Sequence, residues 1–119
     1  MMHEEVSPRI ALRVITEGSA DTARTEWLLM RDALVGLVAL NDPTIKPYWK
    51  FADSQEIFCV SVPVEATADQ VYDEVAMRLG SGWADPTEDR FARWTVWNRG
   101  TGTFIAPSAR WAHLELIRG

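Results

Sequence analysis

The sequence has a single cysteine, Cys59, among its 119 residues, which excludes an internal disulfide framework and suits a reducing cytoplasm. It also lacks a long apolar run. The longest, "ALVGLVAL" at 33–40, is far shorter than the roughly 20 residues that cross a bilayer. The opening "MMHEEVSPRI" carries two glutamates and no apolar stretch, so no signal peptide is expected. Lysine is scarce, two residues against ten arginines, which together with abundant alanine hints at a GC-rich bacterial genome. There is no repeat, linker or low-complexity tract, so a single domain over 1–119 is expected, with residues 1–8 frayed. Positive charge is in deficit as well. A net charge of −5 argues against nucleic acid as a partner and favours steering toward a basic protein.

What the chain does have is apolar and aromatic. Hydrophobic residues make up 47% of it and there are six tryptophans, enough for a real core. "RIALRVITE" (9–17) alternates, with Ile10, Leu12 and Val14 on one face and Arg9, Ala11 and Arg13 on the other, as in a half-buried strand. Trp27, Met30, Leu34, Leu37 and Val38 recur at helical spacing after a cap at Ser19 or Thr22, and "NDP" stops the helix near 41. "KPYWKFAD" and "EIFCVSVPVE" read as two strands, the second with Phe58, Val60, Val62 and Val64 on its core face. "TADQ" (67–70) has the form of a capping box opening a helix that "GSG" (80–82) ends. "RFARWTVWN" and "ARWAHLELI" follow as strands joined by "RGTGTFIAPS".

The order is β-α-β-β-α-β-β. It predicts an α+β fold, a mainly antiparallel sheet of four to five strands with two helices packed on one face. The first six elements follow the ferredoxin-like order, with one hairpin strand added.

The stretch 93–116 holds three tryptophans and a histidine. Alternation assigns Trp94 and Val96, with Leu114 and Leu116, to the core beside Leu12 and Phe58. The opposite face then carries Arg9, Arg13, Tyr48, Lys50, Cys59 and Ser61 beside Arg93, Trp97, Trp111, His113 and Glu115, a mixture too aromatic for plain solvent and too polar for a core. Trp and Arg dominate protein interfaces, so Trp97, Trp111 and Arg93 are read as anchors of a binding surface, with Asp85, Glu88, Asp89 and Glu115 at its rim. A purely structural alternative has Trp97 and Trp111 covering each other across the strands. A third has the face buried in a homodimer.

No catalytic constellation is evident. His113 and Glu115 project together but lack the third ligand of a catalytic metal site. Cys59 sits in a β-branched strand with nothing to stabilise a thiolate. "NRGTGTF" lacks the lysine of a P-loop and is read as a tight hairpin turn. The acids of "DPTEDR" lack the spacing of a calcium loop. No metal and no cofactor is expected, and no membrane partner. The expected function is that of a non-catalytic acidic binding protein, in physical character like bacterial immunity proteins that neutralise a toxin. The alternatives are a small dimeric ferredoxin-like ligand-binding domain or enzyme, and a homo-oligomer of no other activity.

Overall fold

The alternation at 9–17 makes the strand it predicts. In the computed structural model, which describes residues 7–64 and 67–118, strand β1 (Arg9–Glu17) is hydrogen-bonded on both sides. His3 and residues 1–6 of the expected frayed terminus lie outside the described residues. Helix α1 (Ala20–Ala33) follows, then strands β2 (Thr44–Pro47) and β3 (Ser54–Val60), helix α2 (Ala68–Leu79), and strands β4 (Thr87–Glu88), β5 (Ala92–Asn98) and β6 (Ala109–Ile117). One antiparallel sheet of six strands runs in the order β2-β3-β1-β6-β5-β4.

The α+β class is as predicted; the strand count and order are not. The last strand, β6, pairs with β1, and β5 lies outside it. The added strand is therefore the one inserted before the end of the chain, not the final one. β4 is a further two-residue strand closing that edge.

Both helices pack on the side of the sheet that carries Leu12, Val14, Ile57, Ala112 and Leu114, α1 over β2 and β3 and α2 over β6. Ser19 caps α1, its Oγ accepting from the N–H of Thr22 at 3.2 Å. The helix ends at Ala33 rather than near 41, because Gly36 takes a left-handed φ of 83° and turns the chain. Leu37, Val38 and Leu40 still pack on the core, but as irregular chain. Thr67 does occupy the N-cap of α2, in left-handed backbone (φ 64°) rather than the extended form of a capping box.

Further expectations are corrected by the register and by where the strands end. β1 pairs Leu12 with Cys59 and Val14 with Ile57, so Ile57 and Cys59 enter the core while Phe58 and Val60 turn to the opposite face. β3 ends before Pro63, so Val62 is exposed and Val64 reaches the core from a loop. On β5, Thr95 pairs with Leu114 and Trp97 with Ala112, which puts Arg93, Thr95 and Trp97 on the helix side and Trp94 on the other. "KPYWKFAD" is strand only through Pro47, and its aromatic residues form the turn into β3.

The helices leave the β5 end of the core face to loops. Trp97 is 4% exposed, its ring 4.9 Å from that of Phe104, and its indole N–H donates to the carbonyl of Ser81 at 3.0 Å. Trp83 stands 5.9 Å from the same Phe104 ring and donates to the Ala76 carbonyl at 2.9 Å. The β5–β6 connection is not a tight hairpin. It crosses this end of the core, held where Ile105 N–H donates to Leu79 O at 2.7 Å and Ser108 N–H to Glu26 Oε1 at 2.6 Å. Gly102 is needed for contact, since a Cβ there would lie 1.9 Å from Ser81 O.

Leu114 and Trp97 are thus both core. Leu114→Ala should cost about 2–5 kcal/mol and Trp97→Ala about 3–5 kcal/mol, through lost burial and a residual cavity. Urea melts of both variants check this; a wild-type midpoint in Trp97→Ala would place its indole on the wrong side of the sheet.

Candidate functional site

The face away from the helices is ordered by three cross-strand rows. The first runs Thr44–Phe58–Arg13–His113–Val96, the second Lys46–Glu56–Ile15–Trp111–Asn98, the third Val60–Ala11–Glu115–Trp94–Thr87. Paired strands put these side chains about 5 Å apart, close enough to cover one another partly. Phe58, Trp94, Val96, Trp111, His113 and Glu115 are accordingly half-buried rather than exposed.

Specific contacts tie the rows together. The Arg13 guanidinium lies 5.1 Å over the Phe58 ring and 3.2 Å from Glu56 Oε1. Trp111 stacks on His113 with ring centres 5.9 Å apart. His113 Nε2 is 3.9 Å from Glu115 Oε1. The strand charges on this face nearly balance, Arg9, Arg13, Lys46 and Arg110 against Glu17, Glu56 and Glu115. The chain's excess of negative charge therefore lies off this face.

Of the residues expected at the binding surface, the structure gathers Trp111, His113 and Glu115 there. Trp97 and Arg93 are corrected to the helix side. Trp97 does not face Trp111 either, since the two lie on opposite sides of the sheet. Arg93 lies 5.0 Å over the Tyr72 ring and bridges Asp73 (3.1 Å), Asp69 (3.5 Å) and Glu88 (3.6 Å). Arg118 adds contacts to Asp69 and Glu88. Together these ties lock the start of α2 to the β4–β5 edge, and the Arg118 guanidinium holds Asp69 below the ordinary carboxylate range. Glu88 thus serves this network rather than a rim. Asp89 accepts the N–H groups of Phe91 and Ala92 at 2.7 and 2.8 Å, closing the turn into β5; Asp85 is simply exposed.

Sequence reasoning placed Tyr48 and Lys50 on this face as strand residues, but missed the groove that the β2–β3 turn forms at its end. Tyr48 and Phe51 lie 5.9 Å apart, and the Arg110 guanidinium sits 4.9 Å over Phe51. With Ile15 and Trp111 they border a groove of about 590 Å³. Trp49 beside it is 82% exposed. The signal available in the sequence was Pro47, after which "YWKF" cannot continue a central strand without strain on its pairing.

Cys59 is buried against α1, and desolvation pushes its thiol up to about 11. Among the described residues, no three His, Cys, Asp or Glu side chains gather to hold a metal ion, and no helix is long and apolar enough to cross a membrane. Comparison with protein families, curated proteins and solved structures finds no match to this chain.

Two outcomes follow. Iodoacetamide at pH 7 should label Cys59 slowly in the folded chain and rapidly in urea, since the thiolate is the nucleophile; rapid labelling of the folded chain would contradict its burial. Burial also lowers the pKa of His113 from 6.5, with Arg13 adding to the shift and Glu115 opposing it. The unfolded chain therefore takes up this proton first as pH falls. The stability tied to neutral His113 is full above 6.5 and is lost as pH drops through the folded value. Glu17 and Asp69 are lowered from 4.5 and 3.8 by hydrogen bonds from Arg99 and Arg118, so their contribution is present above those values and lost as pH falls below them. His113→Gln should flatten the dependence of the urea midpoint between about pH 7.5 and pH 5; an unchanged slope would mean the imidazole is solvated.

Proposed function

We propose that this chain is a non-catalytic binding protein whose uncovered sheet face seats a protein partner, and that it acts in the bacterial cytoplasm as an immunity-type inhibitor of a basic toxin domain. The observation that carries the reading is a sheet face holding Phe58, Trp94 and Trp111 half-buried with neither helix packed on it. Large, stiff rings lose little conformational freedom on contact and bury much area, which is why they dominate interface energetics. Because the strand charges on this face nearly balance, covering it buries little net charge. The chain's overall −5 lies elsewhere and serves encounter, raising the on-rate for a basic partner more than the final affinity.

The β2-β3-β1-β6 order with its two helices favours a second reading, a ferredoxin-like domain that pairs with its own copy through the same face. One set of variants separates the two. Trp94→Ala and Trp111→Ala should each weaken the partner complex by about 2 kcal/mol or more while lowering Tm less than Leu114→Ala does. The measurements are calorimetric titration against the partner recovered from the native organism, and sedimentation of the chain alone. Wild-type affinity in both variants would refute the surface; a dimer that dissociates in both variants would establish self-association instead.

A further inference from the structure

The groove at the end of the open face differs from the rest of that face in the sign of its charge. In a chain of net charge −5, its border carries Lys50, Arg99 and Arg110 and no carboxylate. Its walls are the rings of Tyr48, Phe51 and Trp111. Its volume, about 590 Å³, falls within the range of small-molecule sites.

The backbone is irregular at this point. β6 pairs Trp111 with Ile15 but Ala109 with Thr16, so Arg110 is an extra residue without a partner on β1. Such bulges bend the strand and re-aim a side chain. Here the Arg110 guanidinium reaches over Phe51, with its Nε 3.0 Å from Glu17. Arg99 is fully engaged. It donates to the carbonyls of Ala109 (3.2 Å) and Ser108 (3.1 Å) and pairs with Glu17. Glu17 and Asp53 line the neighbouring hollow, not the groove, and Glu17 pairs with both Arg99 and Arg110. Among the described residues, the Lys50 ammonium forms no ion pair and lies 5.2 Å from the Trp49 ring, and Arg110 meets Glu17 through its Nε.

We propose that this groove binds a nucleoside monophosphate. Its phosphate matches a border of cations with no carboxylate, where Lys50 and Arg110 can form charge-assisted hydrogen bonds. Its base matches the aromatic walls, since every base has a face that stacks on Tyr, Phe or Trp. Asn98, on the same border, offers a side-chain amide that donates and accepts, as recognition of a base edge requires. This inference is independent of the protein-docking reading, because its probes are small molecules and its decisive residues, Lys50 and Asn98, are not the anchors tested above.

The experiment titrates the purified chain with AMP, UMP, adenosine and inorganic phosphate, following tryptophan fluorescence and Tm. AMP or UMP should saturate at sub-millimolar concentration and raise Tm, with adenosine and inorganic phosphate each about tenfold weaker or worse. Lys50→Ala should weaken nucleotide binding about tenfold without lowering the Tm of the free chain, and Asn98→Ala should change the preference between AMP and UMP. Arg78→Ala, on α2 behind the sheet, should bind as wild type. Any of four results would overturn the proposal: no saturation by either nucleotide, inorganic phosphate binding as well as AMP, wild-type affinity in Lys50→Ala, or a single-stranded oligonucleotide binding in preference to the free nucleotide.

Discussion

Everything in this fold hangs on the double pairing of β1. Its backbone is bonded to β3 on one side and β6 on the other, so its side chains set the facing for the middle of the sheet. Leu12 stands between Cys59 and Leu114, and Val14 between Ile57 and Ala112, each of these buried beneath the helices. A one-residue slip on either side would turn those apolar sets to water, so burial holds the register and the register places every other residue. The buried hydroxyl of Ser61 closes the same strand, accepting the N–H of Ile10 at 2.9 Å.

Several polar residues on the covered face are held by a partner, whereas the Thr16 hydroxyl and the Trp27 indole N–H are buried without one among the described residues. Arg93 points toward the core side but ends among Asp69, Asp73 and Glu88 and over the Tyr72 ring. Tyr72 itself donates to the Leu114 carbonyl at 3.0 Å, and burial among these groups pushes its phenol well up. Trp97 and Trp83 each place the indole N–H on a carbonyl at the end of α2. Breaking any of these ties would leave a buried donor or charge unmatched, which costs more than the bond contributes. The apparent excess of aromatic residues in 93–116 therefore divides between two uses. Trp97 seals the core where the helices do not reach, and Trp94 and Trp111 remain on the open face.

The sign of the charge also divides by region. Near α2 and β4, carboxylates outnumber arginines and lock two elements together, whereas the groove by the β2–β3 turn is lined by cations alone. A net charge averages these and describes neither. The aromatic face between them is close to neutral, which makes it the surface that can be dried at least electrostatic cost.

The sequence by itself determined the elements whose two faces differ. β1 alternates apolar with charged residues and β6 does so with Ala112, Leu114 and Leu116, so one inward side is possible for each, and both were legible. The α+β class and the Ser19 cap were legible for the same local reasons. Only the tertiary structure decided β3 and β5. Ile57 and Cys59 against Phe58 and Val60, or Trp94 and Val96 against Arg93 and Trp97, are two apolar or mixed sets that alternation ranks equally. The choice came from neighbours distant in sequence, namely Leu12 for Cys59, Ser81 for the Trp97 indole, and the acids of α2 for Arg93. The groove was hidden for a like reason. Tyr48, Phe51, Asn98 and Arg110 lie up to 62 positions apart, and what brings them together is an antiparallel sheet and a single bulge, neither of which a local pattern encodes.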